Sequence, residues 1–205
     1  MNSALVGSFL AVFSALMLTP AQGDIQFGAG GGVYGGSEYD ESIGYGVHGE
    51  LGYLNNAAPV NLFFGVRGTY IDGLESKGSI LNSKDSSDLD LFEGAVVARL
   101  LVPLGTEVIK LYGEGSLGAG NLNVSGEAKV KGSIGGQDFS VNSRFDEEDW
   151  VLAWGLGAGV QFDFTPTFGL RVGYNFHSYG DAEVFGLKVD PGSMHGLTSS
   201  VIFKF

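Results

Sequence analysis

The chain of 205 residues ends with the stretch LTSSVIFKF, which occupies residues 197–205. Apolar and polar residues alternate along it. Successive side chains of a β-strand point to opposite sides, so this alternation places Leu197, Val201, Phe203 and Phe205 on one face of an extended strand. The end of the chain therefore predicts a strand that presents an apolar face on one side only.

The same alternation recurs along the rest of the chain and predicts eight strands. We place them at about 25–34, 43–53, 61–71, 90–102, 108–120, 150–164, 168–178 and 195–205. Each can reach the roughly 9–11 residues that a tilted membrane strand needs. The connections alternate between long polar segments, at 35–42, 72–89, 121–149 and 179–194, and short segments that each contain a proline, at 54–60, 103–107 and 165–167. This pattern is typical of an all-β, eight-stranded antiparallel up-and-down transmembrane β-barrel.

The charged residues give an independent indication of a membrane barrel. The net charge is −12, and most of the acidic residues lie in the four long connections. The period of two puts the charges of the strands on the face opposite the aliphatic one: Glu50, Arg67, Glu93, Arg99, Lys110, Glu114, Asp163, Arg171 and Lys204. A soluble barrel predicts the reverse arrangement, and Arg or Lys facing lipid at mid-depth costs about 2–4 kcal/mol. The acidic balance also argues against nucleic acid as a partner.

Aromatic residues near the strand ends predict two girdles at the membrane surfaces. One is expected at the end that carries the termini: Phe27, Tyr53, Phe162, Phe164, Phe168, Phe203 and Phe205. The other is expected at the opposite end: Tyr34, Tyr45, Tyr70, Trp150, Trp154 and Phe176.

The beginning of the chain predicts export. Residues 1–23 carry no charge, residues 4–18 are largely apolar, and Ala21-Gln22-Gly23 has the small-x-small pattern of a signal-peptidase site. We therefore expect a signal peptide at 1–23 that is cleaved, and one barrel domain at 24–205. The alternative is an N-terminal membrane anchor, but the apolar run is short for a span of about 20 residues.

The inward face predicts a closed lumen. The interior of an eight-stranded barrel is only wide enough for side chains to fill it, and an unpaired buried charge is expensive. We expect a plug in which Glu50, Glu93, Glu114 and Asp163 pair with Arg67, Arg99, Lys110 and Arg171. The alternative is a narrow polar channel or solute conduit, because inward glycines also leave room for water.

The longest connection predicts a β-hairpin outside the membrane at about 121–149, turning at Gly135-Gly136. Its strand edges are suited to capturing a partner by β-augmentation. At its base lies an acidic cluster: Asp146, Glu147, Glu148 and Asp149. Carboxylates are ligands for Ca²⁺ or Mg²⁺, but no liganding spacing is visible. We therefore expect a solvated acidic collar, with no metal and no cofactor.

One possible enzymatic motif is His177-Ser178, which Asp181 and Glu183 follow. Adjacent residues of a strand point to opposite faces, so this histidine is poorly placed to activate this serine. We expect a histidine at the rim and no enzymatic activity, with a lipid A-modifying hydrolase as a remote alternative.

In its alternation, apolar leader and terminal aromatic, the chain resembles the small eight-stranded outer-membrane barrels of Gram-negative bacteria, of the OmpA/OmpX and porin-like opacity-protein type. The resemblance implies short periplasmic turns, four longer extracellular loops, and a place in the outer membrane among lipid and lipopolysaccharide. It also implies that Phe203 and Phe205 belong to the signal read by the barrel-assembly machinery. It further implies a role in envelope integrity, adhesion or surface shielding, with loops that contact an extracellular protein or surface ligand. We also expect a monomer.

Overall fold

The structure is a computed structural model that describes residues 23–36, 43–56, 60–76, 87–134, 137–180, 182–184, 187–189 and 192–205. Within these ranges there are eight long strands, namely β1 (Gly23–Gly35), β2 (Gly44–Asn55), β3 (Asn61–Ser76), β4 (Ser87–Pro103), β5 (Ile109–Ile134), β6 (Gln137–Asp163), β7 (Phe168–Tyr179) and β10 (Ser193–Lys204). Two short strands, β8 (Ala182–Val184) and β9 (Leu187–Val189), form a separate two-stranded sheet. Nowhere in the described ranges does a helix occur that is long and apolar enough to cross a membrane.

The eight long strands close into an antiparallel barrel in the order β1-β10-β7-β6-β5-β4-β3-β2. The predicted barrel with eight antiparallel strands is confirmed. Strands β1 and β10 meet in register, with Phe27 opposite Phe203. Backbone hydrogen bonds of 3.1 and 2.9 Å join Ile25 and Phe205 at the end of this pair. We call this end of the barrel the terminus end and the opposite end, beyond which β5 and β6 continue, the hairpin end.

The two faces of the barrel wall differ as the alternation predicts. Val47, Val96 and Leu152 on the outer face are each more than 60 % exposed. All nine charged residues that were expected on the inner face are buried, each at 9 % exposure or less. The wall therefore turns an apolar surface outwards and encloses its charges.

One residue of the predicted aromatic girdles, Tyr34, does not lie where it was expected. It was expected on the outer face, yet only 3 % of it is exposed, whereas its neighbour Val33 is 41 % exposed. Val33 therefore takes the outward position, and Tyr34 points into the barrel. Tyr45 and Trp150, from the same predicted girdle, are 67 % and 62 % exposed.

Strands β5 and β6 are much longer than their predicted ranges. They pair continuously from Ile109 opposite Phe162 to Ile134 opposite Gln137. The pairing of β4 with β5 ends at Gly126, and that of β7 with β6 ends at Ala153. We call the part of β5 after Gly126, together with the part of β6 before Ala153, the β5–β6 ribbon, because neither part pairs with a third strand among the described residues.

Three predictions concern positions outside the described residues or outside what the structure tests. Residues 1–22 of the predicted signal peptide and the predicted turn at residues 135–136 lie outside the described residues. The location of the hairpin beyond the membrane stays a prediction.

The sheet formed by β8 and β9 was not predicted, because it lies within a connection that was interpreted as a polar loop.

Candidate functional site

The lumen contains a network of ion pairs at mid-height, centred on Arg99. The register places Arg99 directly opposite Glu114 on the neighbouring strand. The Arg99 Nε donates to Glu114 Oε2 at 2.7 Å, and Nη1 and Nη2 donate to the two carboxylate oxygens of Glu50 at 3.0 and 2.7 Å. Nη1 and Nη2 thus bind the two oxygens of Glu50 side by side, which is the strong bidentate geometry that arginine offers to a carboxylate.

Two further arginines complete this network. Arg67 Nη1 lies 2.5 Å from Glu114 Oε1, and Arg171 Nη1 lies 2.7 Å from Glu50 Oε1. The five side chains come from five different strands, and we call them the central cluster: Glu50, Arg67, Arg99, Glu114 and Arg171. The ion pairs of the central cluster connect these five strands across the lumen. Removing one partner of a buried ion pair is strongly destabilising, so we expect these contacts to stabilise the barrel.

A second group of charges lies nearer the terminus end. Asp163 Oδ2 is 2.6 Å from Lys204 Nζ and 3.1 Å from Lys110 Nζ. Gln161 donates to the other carboxylate oxygen of Asp163 at 2.9 Å. Lys110 also lies 3.4 Å from the exposed Glu107. Asp163 therefore contacts both ammonium groups, and the carboxylate of Glu107 at the rim supplies the second negative charge.

Glu93 lies nearer the hairpin end and differs from the predicted pairing. Its Oε2 is 3.0 Å from His177 Nδ1 and accepts a hydrogen bond of 3.0 Å from the hydroxyl of Tyr179. Within the described residues, Glu93 forms no ion pair with a lysine or arginine, so that prediction is wrong. His177 was expected on the inner face at the rim; it does lie on the inner face, but at 3 % exposure it is buried.

Most of the apolar residues inside the barrel were missed by the sequence analysis. A hairpin-side apolar layer draws on seven of the eight barrel strands: Tyr34, Ile71, Leu74, Leu91, Leu122, Val151, Ala153, Tyr179 and Met194. A terminus-side apolar cluster draws on β2 to β5: Leu54, Phe63, Val97, Leu101 and Tyr112. The Arg99 guanidinium lies 4.8 Å from the centre of the Phe63 ring, so the cluster also contacts the ion pairs. Extending the period of two to the strand ends would have identified these inward positions.

Little space remains inside the barrel. The cavity beside the central cluster has a volume of about 10 Å³. A cavity needs about 10–15 Å³ by this measure to hold one water molecule. At the terminus end, an open bowl of about 590 Å³ has Lys110, Asp163 and Lys204 among its lining residues.

The geometry of the possible hydrolase residues does not resemble a catalytic site. His177 contacts Glu93 through Nδ1, and the side chain of Ser178 lies on the opposite face of β7. His48 Nε2 does lie 2.7 Å from Ser200 Oγ, which is the distance of a nucleophile from its base. However, both residues line the 10 Å³ cavity, which has no room for a substrate.

The acidic cluster lies on the β5–β6 ribbon and its base. Glu148 is exposed and Asp149 is half-buried, whereas the side chains of Asp146 and Glu147 are outside the described part. Among the described side chains, no group of three or more His, Cys, Asp or Glu is placed to hold a metal ion. A role for the acidic cluster stays a prediction.

Comparison with known proteins agrees with this geometry. No curated protein matches the sequence. Neisserial surface protein A (NspA) has a similar solved structure, with a TM-score of 0.56 and 20 % identity over 89 % of this chain and 97 % of that one. A major outer membrane protein from Thermus thermophilus has a TM-score of 0.58 and 12 % identity over 89 % of this chain and 99 % of that one. At these identities, the likeness shows the fold alone.

The sequence itself matches a family. The model of the family described as "Outer membrane protein beta-barrel domain" matches residues 8–203, which is nearly the whole chain. The closed antiparallel barrel, the apolar outer face and the enclosed charges agree with this match. The chain therefore belongs to the outer membrane protein β-barrel domain family and is a protein of the outer membrane.

Proposed function

We propose that this barrel is a non-enzymatic structural and surface-interaction protein whose lumen is closed to solutes. The observation that carries the proposal is the filling of the lumen. From the hairpin end inwards, a solute would meet the hairpin-side apolar layer, then Glu93 with its partners, and then the central cluster. The cavity that lies beside the central cluster measures only about 10 Å³.

The chemical character of the side chains that fill the lumen also supports closure. An ion that enters the hairpin-side apolar layer must lose most of its hydration among side chains whose only polar groups are the hydroxyls of Tyr34 and Tyr179, which is costly. Opening the central cluster would leave buried charges unpaired, which costs several kcal/mol. The two barriers act in series, so the second still blocks passage where the first is crossed.

The experiment that tests closure is single-channel recording. Residues 24–205 are refolded and inserted into a planar bilayer, and a known open porin in the same bilayer serves as the positive control. We expect no current steps above the baseline from this protein. Reproducible steps would refute the closed lumen and favour the second candidate, a narrow channel or solute conduit.

We further propose that surface interactions use the β5–β6 ribbon. Within the described residues, β5 has no strand partner other than β6 after Gly126, and β6 has none other than β5 before Ala153. Unpaired strand edges can accept an additional strand from another protein. In the expected orientation, with the termini on the periplasmic side, the ribbon faces the exterior of the cell.

A shortened ribbon tests this role. Residue 127 lies opposite residue 144, so deleting residues 128–143 and closing the gap with a two-residue Asn-Gly turn preserves the register below. Bacteria that display either form are applied to wells coated with whole serum or with albumin alone. We expect the full-length form to adhere better to serum-coated wells and the shortened form to lose this difference. Equal adhesion of both forms, at equal surface amounts, would refute the role of the ribbon.

A further inference from the structure

The backbone of β6 has one side that bonds to β5 and one side that points away from it. The two strands pair without a bulge along their whole length, so alternate residues of β6 direct their N–H and C=O groups to the same side throughout. The Asp163 N–H donates to the carbonyl of Val108, beside β5, at 2.7 Å. The Leu152 carbonyl accepts from the Gly180 N–H, on the other side of β6, at 2.8 Å. Odd-numbered residues of β6 therefore bond to β5, and even-numbered residues point away from it.

The even-numbered residues from 138 to 150 form an edge of the ribbon, which we call the β6 edge. Among the described residues, no strand other than β5 pairs with β6 in this stretch. β8 comes near β6, but it pairs with β9 in a separate sheet. At Trp150, the N–H donates at 2.8 Å to Oδ1 of its neighbour Asp149 and not to a strand. The β6 edge therefore offers a row of main-chain donors and acceptors to an added strand.

The two edges of the ribbon differ in their protection against an added strand. In β5, the residues that point away from β6 include Lys129 and Lys131, which lie opposite Asn142 and Ser140. Lysine on an edge strand is one of the devices that prevent pairing with another chain. β6 contains no lysine, and Ser140 and Asn142 occupy the equivalent positions of its edge. The β6 edge is therefore the more open of the two.

The sequence of β6 determines which strand fits beside it. Residues 137–149 include five acidic residues and one basic residue, Arg144. In the same stretch, Phe139, Val141 and Phe145 are separated by odd numbers of residues and so share one face of the strand. Residues that lie opposite each other on neighbouring strands share a face, where apolar pairs stabilise a sheet and like charges destabilise it. A fitting strand therefore alternates apolar residues with basic ones.

We propose that the β6 edge binds an extended segment of another protein in which apolar and basic residues alternate. The inference rests on the proposed role of the ribbon and specifies its edge and its partner. The main-chain groups of the edge hold the added strand, and the alternation selects it. β5 already provides an example, because its residues 128–131, Ala-Lys-Val-Lys, have this alternation and pair with residues 140–143 of β6 from the other side.

Two synthetic peptides test the choice of partner. The probe alternates lysine and valine over about ten residues, the length of a long strand, and the control peptide alternates glutamate and valine. Residues 24–205 are placed in vesicles of zwitterionic phosphatidylcholine, so that the lipid does not attract the basic peptide, and binding is followed by the fluorescence of a label on each peptide. We expect the lysine peptide to bind at least about tenfold more tightly than the glutamate peptide. Equal binding of the two peptides, or binding of neither, would refute the proposal.

Two proline variants test whether the peptide is added as a strand to the β6 edge. Ser140→Pro removes an N–H of the β6 edge, and Ser133→Pro removes one that points away from β6 on the β5 side. Neither change alters the charge or removes a bond between β5 and β6, since proline is tolerated where the N–H of an edge strand is unpaired. We expect Ser140→Pro to weaken binding of the lysine peptide at least about tenfold and Ser133→Pro to leave it unchanged. If neither variant weakens binding, charge alone attracts the peptide, and if only Ser133→Pro does, the peptide lies on β5; both results contradict the proposal.

The adhesion assay described above separates this inference from the proposed role of the ribbon. If the shortened ribbon loses adhesion to serum-coated wells while the lysine peptide does not bind, the ribbon has its surface role and the proposed partner is wrong. If Ser140→Pro lowers adhesion and peptide binding together, and Ser133→Pro lowers neither, the β6 edge is the part of the ribbon that binds.

Discussion

At the scale of single residues, the inner glycines determine where large side chains can lie. Gly52 and Gly65 face each other across β2 and β3. A Cβ atom added to either one would come within 2.4 Å of a backbone carbonyl oxygen of the neighbouring strand and within 2.6 Å of Cζ of Phe63. The Phe63 ring fills the space beside these glycines and contacts Arg99. Glycine at these two positions therefore makes room for the ring and, through it, orients a member of the central cluster.

Changing Gly65 to alanine tests this close approach. We expect Gly65→Ala to lower the free energy of unfolding by about 1–3 kcal/mol, the usual cost of overpacking. Gly68→Ala, on the outer face of the same strand, is the matched control because nothing lies within 4 Å of the added Cβ. The measurement is urea unfolding of the barrel in lipid vesicles. Equal stability of the two variants would contradict the role of Gly65.

The inward charges could be predicted from the sequence, whereas their partners could not. The side of the wall that Glu93 faces depends only on the period of two. Its partner His177 is 84 positions away in the chain and is set by the closure of the whole barrel. Tyr34 was included in a girdle because of its position near a strand end, although the period of two that runs through Ile25 and Phe27 places it on the inner face.

At the scale of the elements, each strand separates two environments, and β4 shows this most clearly. Val96 lies between Val66 on β3 and Leu117 on β5, and all three are more than half exposed on the outer face. Together they form part of a continuous apolar band that faces lipid.

Placing a charge in this band tests the membrane orientation of β4. We expect Val96→Arg to lower the free energy of unfolding by about 2–4 kcal/mol, because arginine at mid-depth faces hydrocarbon. Val96→Leu is the control, and we expect it to change stability by less than about 1.5 kcal/mol. If unfolding in lipid vesicles shows the same stability for Val96→Arg and Val96→Leu, Val96 does not face lipid.

The existence of the eight strands could be read from the sequence because a membrane imposes strict alternation on each of them. A β-hairpin at about 121–149 was predicted as well, but not that its strands continue β5 and β6 without a break, since a ribbon in water has no need for one apolar face. The same reason explains why β8 and β9 were missed.

At the scale of the whole molecule, closure of the lumen does not depend on one residue. The central cluster and the hairpin-side apolar layer lie at different heights, and they have no residue in common. Their arrangement in series makes the barrel tolerant of damage to either one.

The effect of Arg99→Ala on conductance tests this tolerance. We expect Arg99→Ala to be less stable than the unchanged protein but to give no current steps in a planar bilayer, because the hairpin-side apolar layer remains. The unchanged protein, recorded under the same voltage and salt, is the control. Steps that appear only in the variant would show that the central cluster alone closes the lumen.

The pairing of β1 with β10 has a consequence for the order of assembly. Seven of the eight strand interfaces join neighbours in the barrel sequence, but this seam joins the first strand to the last. During export that begins with the N-terminal part, β1 waits with one edge open until β10 arrives, and joining such distant segments carries the largest loop-closure entropy in the barrel. β1 is rich in glycine, so few of its own side chains fix its register during that wait. Correct closure of the barrel therefore depends on β10, whose inward and outward side chains alternate along its whole length.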